Sequence, residues 1–124
     1  MQLEARYFRA AVIYALLGLL LGIHMASSQD HTQMPTHAHL LLLGWVSLFL
    51  AGGFFRLYPT VQGKLAAAHW WIANIGILVM VPGVGLIMAG IEGPGVPLAS
   101  GGALIVLFGM AIFAWLVFRA TKRA

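Results

Sequence analysis

Charge along this chain is confined to short clusters, and what lies between them is almost unbroken hydrocarbon. Uncharged stretches run from Ala10 to Gln29, His31 to Phe55, Leu65 to Ile91 and Gly93 to Phe118, and none is shorter than 20 residues. About 20 apolar residues, rising about 1.5 Å each, cross the roughly 30 Å hydrocarbon core of a bilayer. Apolar positions follow one another without the alternation of a barrel strand, which leaves helices as the spanning structure. The pattern predicts an all-α integral membrane protein, a four-transmembrane-helix bundle with helices over about 8–27, 36–56, 65–90 and 98–119 in one domain of residues 1–124.

Turn residues punctuate these stretches. Ser27 to Pro35 reads as a loop, with Pro35 in the first turn of the second helix, where its missing N–H costs nothing. Tyr58 to Gly63 reads as a short turn and Glu92 to Pro97 as a tight Gly/Pro connection. Pro82 with Gly83 is expected to kink the third helix. Gly18 and Gly22 form a GxxxG-type pair on the first helix, and Gly44, Gly52, Gly53, Gly76, Gly83 and Gly85 mark further flat faces. Such faces let helices approach closely, and they also let a planar macrocycle lie against backbone.

Composition agrees with the pattern. Hydrophobic residues make up 61% of the chain and charged residues 8%, against roughly 25% charged in soluble domains. The bilayer is therefore the expected solvent and partner. Charge placement adds an orientation. Arg6 and Arg9 precede the first helix, Arg56 and Lys64 lie between the second and third, and Arg119, Lys122 and Arg123 follow the fourth. In a four-span chain all seven share one side, and Asp30 and Glu92 occupy the other. The positive-inside rule then predicts cytoplasmic N and C termini in a bacterial-type inner membrane. Basic residues beside anionic headgroups account for the net charge, so no nucleic-acid partner is expected. Ser27-Ser28-Gln29 is a poor cleavage site, which predicts a retained first helix rather than a signal peptide. With no cysteine, disulfides and thiolate ligands are excluded. Three carboxylates without an apparent nucleophile–base pair make catalysis by side chains alone a poor expectation.

Histidine carries the candidate chemistry. Four of five, His24, His31, His37 and His39, lie toward the predicted outer, periplasmic face. Ionisable groups in a membrane are costly and usually functional, and imidazole is both a common metal ligand and the usual axial ligand of haem b. Residues two apart on a helix point about 200° apart at nearly one depth. His37 and His39 therefore cannot bind the same iron, and each must serve a different site or the same type of site on two sides of one helix. His24 ends the first helix at a comparable depth, so His24 and His39 are a candidate pair for clamping one haem. His69, in His69-Trp70-Trp71, lies near the opposite side and reads as structural, with metal ligation as its alternative. His31 and Met34, beside His24, Met25, His37 and His39, form a set of imidazole and soft ligands that suits copper instead. Asp30 is expected to cap its loop, with orientation of the His31 imidazole as the alternative.

The run His37-Ala38-His39-Leu40-Leu41-Leu42-Leu43-Gly44-Trp45-Val46-Ser47, ending Phe55-Arg56-Leu57-Tyr58-Pro59, resembles a late helix of haem–copper oxidase subunit I, nearest the nitric oxide reductases and C-family oxidases. His69-Trp70-Trp71 with Asn74 and Gly76 looks like the start of the next helix there. The resemblance runs from Pro35 to Gly90, under half of the chain. It implies that His37 takes the position of the high-spin haem ligand and His39 that of the low-spin haem ligand. Subunit I has twelve helices, and its paired copper-binding histidines have no counterpart in this sequence, so a complete oxygen- or nitric-oxide-reducing centre is not expected. Twelve is three times four, and subunit I is built of three quasi-equivalent groups of four helices. The resemblance thus implies a homo-oligomer, a homotrimer, in which His37 of one protomer faces His39 of the next.

Three function classes follow. The first is a small haem b protein acting in electron transfer, in binding oxygen or nitric oxide, or as an accessory to respiratory-chain proteins. The second is a copper-handling membrane protein, and the third a structural subunit without metal.

Overall fold

A computed structural model describes residues 2–122. Among these the chain is all-helical, with four helices long and apolar enough to cross a membrane: Leu3–Ser28, Met34–Leu57, Lys64–Met88 and Glu92–Thr121. A turn of 3-10 helix, Pro59–Val61, sits in the connection between the second and third. Large apolar side chains such as Leu20, Leu50 and Leu104 stand exposed around the outside. A bilayer suits a surface of that kind and water does not.

The helices pair as two antiparallel hairpins. In the first, Gly18 meets Leu41, Gly44 meets Tyr14, and Gly52 meets Tyr7 and Phe8. In the second, Gly76 meets Val106, Gly83 meets the backbone of Ala99, and Gly102 meets the backbone of Met80. Glycine is required at Gly102, since a Cβ there would lie 2.5 Å from Met80 Cα and N. The first helix then runs parallel to the third, with Tyr7 beside His69 and Tyr14 beside Asn74. Its buried positions, Glu4, Tyr7, Ala11, Tyr14, Gly18 and Met25, repeat at intervals of three, four and seven, the seam of a helix with one buried stripe. The core gathers Tyr7, Tyr14, Leu48, Phe55, Ile77 and Leu116. At the end bearing Arg6 and Arg56, the basic end, Glu4 is buried and Arg56 Nη1 donates to it across 3.2 Å, tying the first helix to the second.

The second helix departs from a regular α-helix. Its first turns, Met34–His39, and its last turns, Leu48–Leu57, are α-helical, but Leu40–Ser47 between them is π-helical. The Ser47 hydroxyl donates to the Leu42 carbonyl five residues back at 2.7 Å, the same interval as the π ladder. Pro35 opens this helix as its sequence requires.

The fourth helix begins at Glu92, so the stretch from Glu92 to Pro97 is helix, where a Gly/Pro loop was expected. Pro94 falls in the first turn, where a missing N–H leaves no helical bond unmade. The carbonyl facing Pro97 four residues back is that of Gly93, near an exposed helix end. The connection shrinks to Ala89, Gly90 and Ile91. Gly90 is left-handed (φ 81°), and Ile91 N–H bonds the Leu86 carbonyl at 2.8 Å while Gly90 N–H bonds that of Ile87 at 3.0 Å. That is a Schellman closure, and it depends on glycine. The third helix runs unbroken through Pro82.

Candidate functional site

At the end opposite the basic one, the histidine end, the sequence brings imidazoles to the first turns of the second helix. His37 turns onto the first helix. Its Nδ1–H donates to the Gly18 carbonyl at 2.8 Å, and its Cε1 lies 2.9 Å from where a Cβ on Gly22 would stand. The GxxxG pair thus acts as a seat for Leu41 and His37, one helical turn apart. His39, two residues on, makes its side-chain hydrogen bond within its own helix. Its Nδ1–H donates to the carbonyl of Pro35, one turn back in its own helix, at 2.7 Å.

These bonds fix the chemistry of both rings. A carbonyl oxygen can only accept, so Nδ1 carries the proton in each. In the neutral imidazole Nε2 is then a bare lone pair. Metal-ligating histidines are typically oriented this way, with the far nitrogen donating to a carbonyl or carboxylate. Both rings are half-buried.

The other sequence candidates are arranged differently. His24, His31 and Met34 are exposed. No side-chain hydrogen bond joins His24 to His39 among the described residues. No three His, Asp or Glu side chains converge on a point among those residues. Asp30 caps its loop: Oδ1 accepts from the Thr32 N–H at 3.0 Å and from the Thr32 hydroxyl. These bonds, with nearby His24 and His31 contributing less, hold the Asp30 carboxyl below its usual range.

A second polar group lies in the basic half and was not anticipated as a unit. His69 is only 5% exposed. Its Nδ1 is 2.6 Å from the Tyr7 hydroxyl, which is also 3.1 Å from the Ala66 carbonyl. Its ring stacks on Phe113 (centroids 5.3 Å apart) and lies near Phe55. The sequence held one signal for this: Tyr7 and Tyr14 are seven residues apart, a spacing that places both on one face. His69 and Asn74 are the polar groups of the third helix that meet them.

His69 forms part of the wall of an apolar cavity of about 150 Å³ among the second, third and fourth helices. That is below the roughly 300–1,000 Å³ of pockets for drug-sized ligands. No protein-family model, curated protein or solved structure matches this chain.

Proposed function

We propose that this chain is a small membrane haem b protein related to haem–copper oxidase subunit I, acting in electron transfer or as an accessory to respiratory-chain proteins. The observation that carries the reading is the common posture of His37 and His39, each donating Nδ1–H to a backbone carbonyl and so offering Nε2 to a metal. Haem iron, when bound, supplies a one-electron couple, and the protein's part is to present and orient the axial imidazoles. His37 bonds to the first helix while His39 bonds within its own, which supports two irons on two sides of the second helix. Each site then needs an imidazole from elsewhere, and a homotrimer with His37 of one protomer opposite His39 of the next supplies it. The basic residues favour both termini in the cytoplasm of a bacterial-type inner membrane, with the histidine end facing outward.

The test is an absorption spectrum of detergent-purified protein with haem counted per chain. Low-spin haem gives a Soret band and sharp alpha and beta bands on reduction, one haem per chain, lost in both His37→Ala and His39→Ala. Protein isolated without a Soret band, or full haem retained in either variant, overturns the reading. Copper without a Soret band points instead to the copper-handling class.

A further inference from the structure

The cavity beside His69 has the size of one aromatic ring. Apolar cavities of about 150 Å³ accept benzene. Its walls come from three helices: Leu43, Leu48 and Ala51 of the second, Ala73 and Ile77 of the third, and Phe113 of the fourth. Leu50 and Met110 also line it, and at 67% and 48% exposure they mark its open side. In a bilayer that mouth meets acyl chains, so a guest with a hydrocarbon tail can enter sideways and leave its tail outside.

One polar group interrupts this apolar lining from a buried position. His69 has Nδ1 engaged by Tyr7, and Nε2 has no hydrogen-bond partner among the described residues. Nε2 is not one of the fully enclosed unpaired polar atoms among those residues, which are Glu4 Oε2 and Trp70 Nε1, so it keeps some access, and a guest with a matching atom can pair with it.

The Tyr7 hydroxyl has one proton and two acceptors in reach, Ala66 O and His69 Nδ1. When it donates to Nδ1, the imidazole proton sits on Nε2, and the ring is a donor. When it donates to Ala66 O, Nδ1 carries the proton and donates to the Tyr7 oxygen, and Nε2 is an acceptor. A turn of one hydroxyl with a change of tautomer thus matches either a carbonyl or a hydroxyl on the guest.

A ring-sized guest that enters from lipid, and presents a carbonyl in one state and a hydroxyl in another, is a quinone. We propose that this cavity binds the ring of a lipid-soluble quinone, oxidised or reduced, with His69 Nε2 as its hydrogen-bonding partner. The site lies apart from His37 and His39, and the proposal does not rest on haem binding there.

The probe is decylubiquinone, oxidised and reduced, titrated against the full chain in lipid nanodiscs and followed by quenching of tryptophan fluorescence, with para-xylene as the competitor lacking a polar group. Saturable binding of one quinone per chain is expected in both redox states. Ala73→Leu and Ser47→Phe, which fill the cavity from its inner wall and its exposed side, each weaken it at least tenfold. His69→Phe keeps the ring stack and weakens quinone by roughly two- to tenfold, while para-xylene binds as before. Ser47 is half-exposed, so Ser47→Phe decides the matter if Ala73→Leu loses its helicity. Unchanged quenching in the cavity-filling variants, equal affinity for quinone in His69→Phe, or para-xylene binding as tightly as quinone overturns the proposal. The last result leaves an apolar void that accepts any small hydrocarbon or gas.

Discussion

The Tyr14 hydroxyl donates to Asn74 Oδ1 across 2.8 Å, and the amide nitrogen of the same side chain donates to the Trp70 carbonyl at 2.8 Å. One amide therefore joins the first helix to the third and closes a turn of its own helix. Interhelical hydrogen bonds in membranes average about 0.6 kcal/mol and reach about 1.7. Tyr14→Phe is expected to cost an amount in that range in detergent unfolding. In a double-mutant cycle with Asn74→Ala, the coupling between the two sites should recover most of it. Additive losses would mean that the pair contributes nothing as a pair.

Neighbouring glycines on the fourth helix should respond in opposite directions. A Cβ on Gly102 meets Met80 backbone at 2.5 Å, which no rotamer can relieve, whereas one on Gly101 meets nothing within 4 Å. Gly102→Ala is expected to lose about 1–3 kcal/mol by overpacking. Gly101→Ala should be neutral or gain up to about 1 kcal/mol from helix propensity. Unfolding midpoints of the two variants, measured side by side, check the contrast.

Gly22→Ala probes the seat of His37 without removing the imidazole. The new methyl would stand 2.9 Å from Cε1, so the ring must swing and loosen its bond to Gly18. Loss of an orienting bond of this kind typically lowers metal affinity about 10- to 100-fold. On the proposed haem-binding reading, a haem titration should show that loss, with helicity unchanged. Haem affinity equal to that of the parent protein would show that the Gly18 bond does not position the ligand.

Asp30 gives a pH dependence with a definite sign. Its folded-state carboxyl is depressed, first of all by the Thr32 hydroxyl and then by the Thr32 N–H. The loop is therefore stabilised fully above the unfolded pKa of the carboxyl, and this is lost as pH falls through the lower folded value. Thr32→Val should move the Asp30 titration upward toward the ordinary carboxylate range, read from the carboxyl carbon signal in an NMR titration. An unmoved titration would assign the depression to something other than the hydroxyl.

The four long helices were legible because charge placement alone delimits them, and charge in hydrocarbon is costly enough to override local propensity. The beginning of the fourth helix was not. Gly93, Pro94 and Pro97 are breakers in a helix interior, but Pro94 falls in the first turn, where that rule does not apply. The π-helical stretch Leu40–Ser47 left no trace either. Leu40 to Leu43 are identical side chains and carry no periodicity that could distinguish one hydrogen-bond ladder from another. At the histidine end, the divergence of His37 and His39 follows from helix geometry, and the structure adds the carbonyls that hold them. The meeting of Tyr7 with His69, sixty-two residues apart, depends on how the two hairpins dock, and nothing local encodes that.

The three-residue turn at Gly90 leaves the third and fourth helices little room to separate. Ala89, Gly90 and Ile91 join them closely, and at Gly83 and Gly102 one helix meets the backbone of the other. Each hairpin is thus seated by contacts of its own, whereas the Tyr7–His69 contact and the adjoining cavity are shared between the two hairpins. A substitution that loosens one hairpin from the other would therefore remove both features together and leave each hairpin intact.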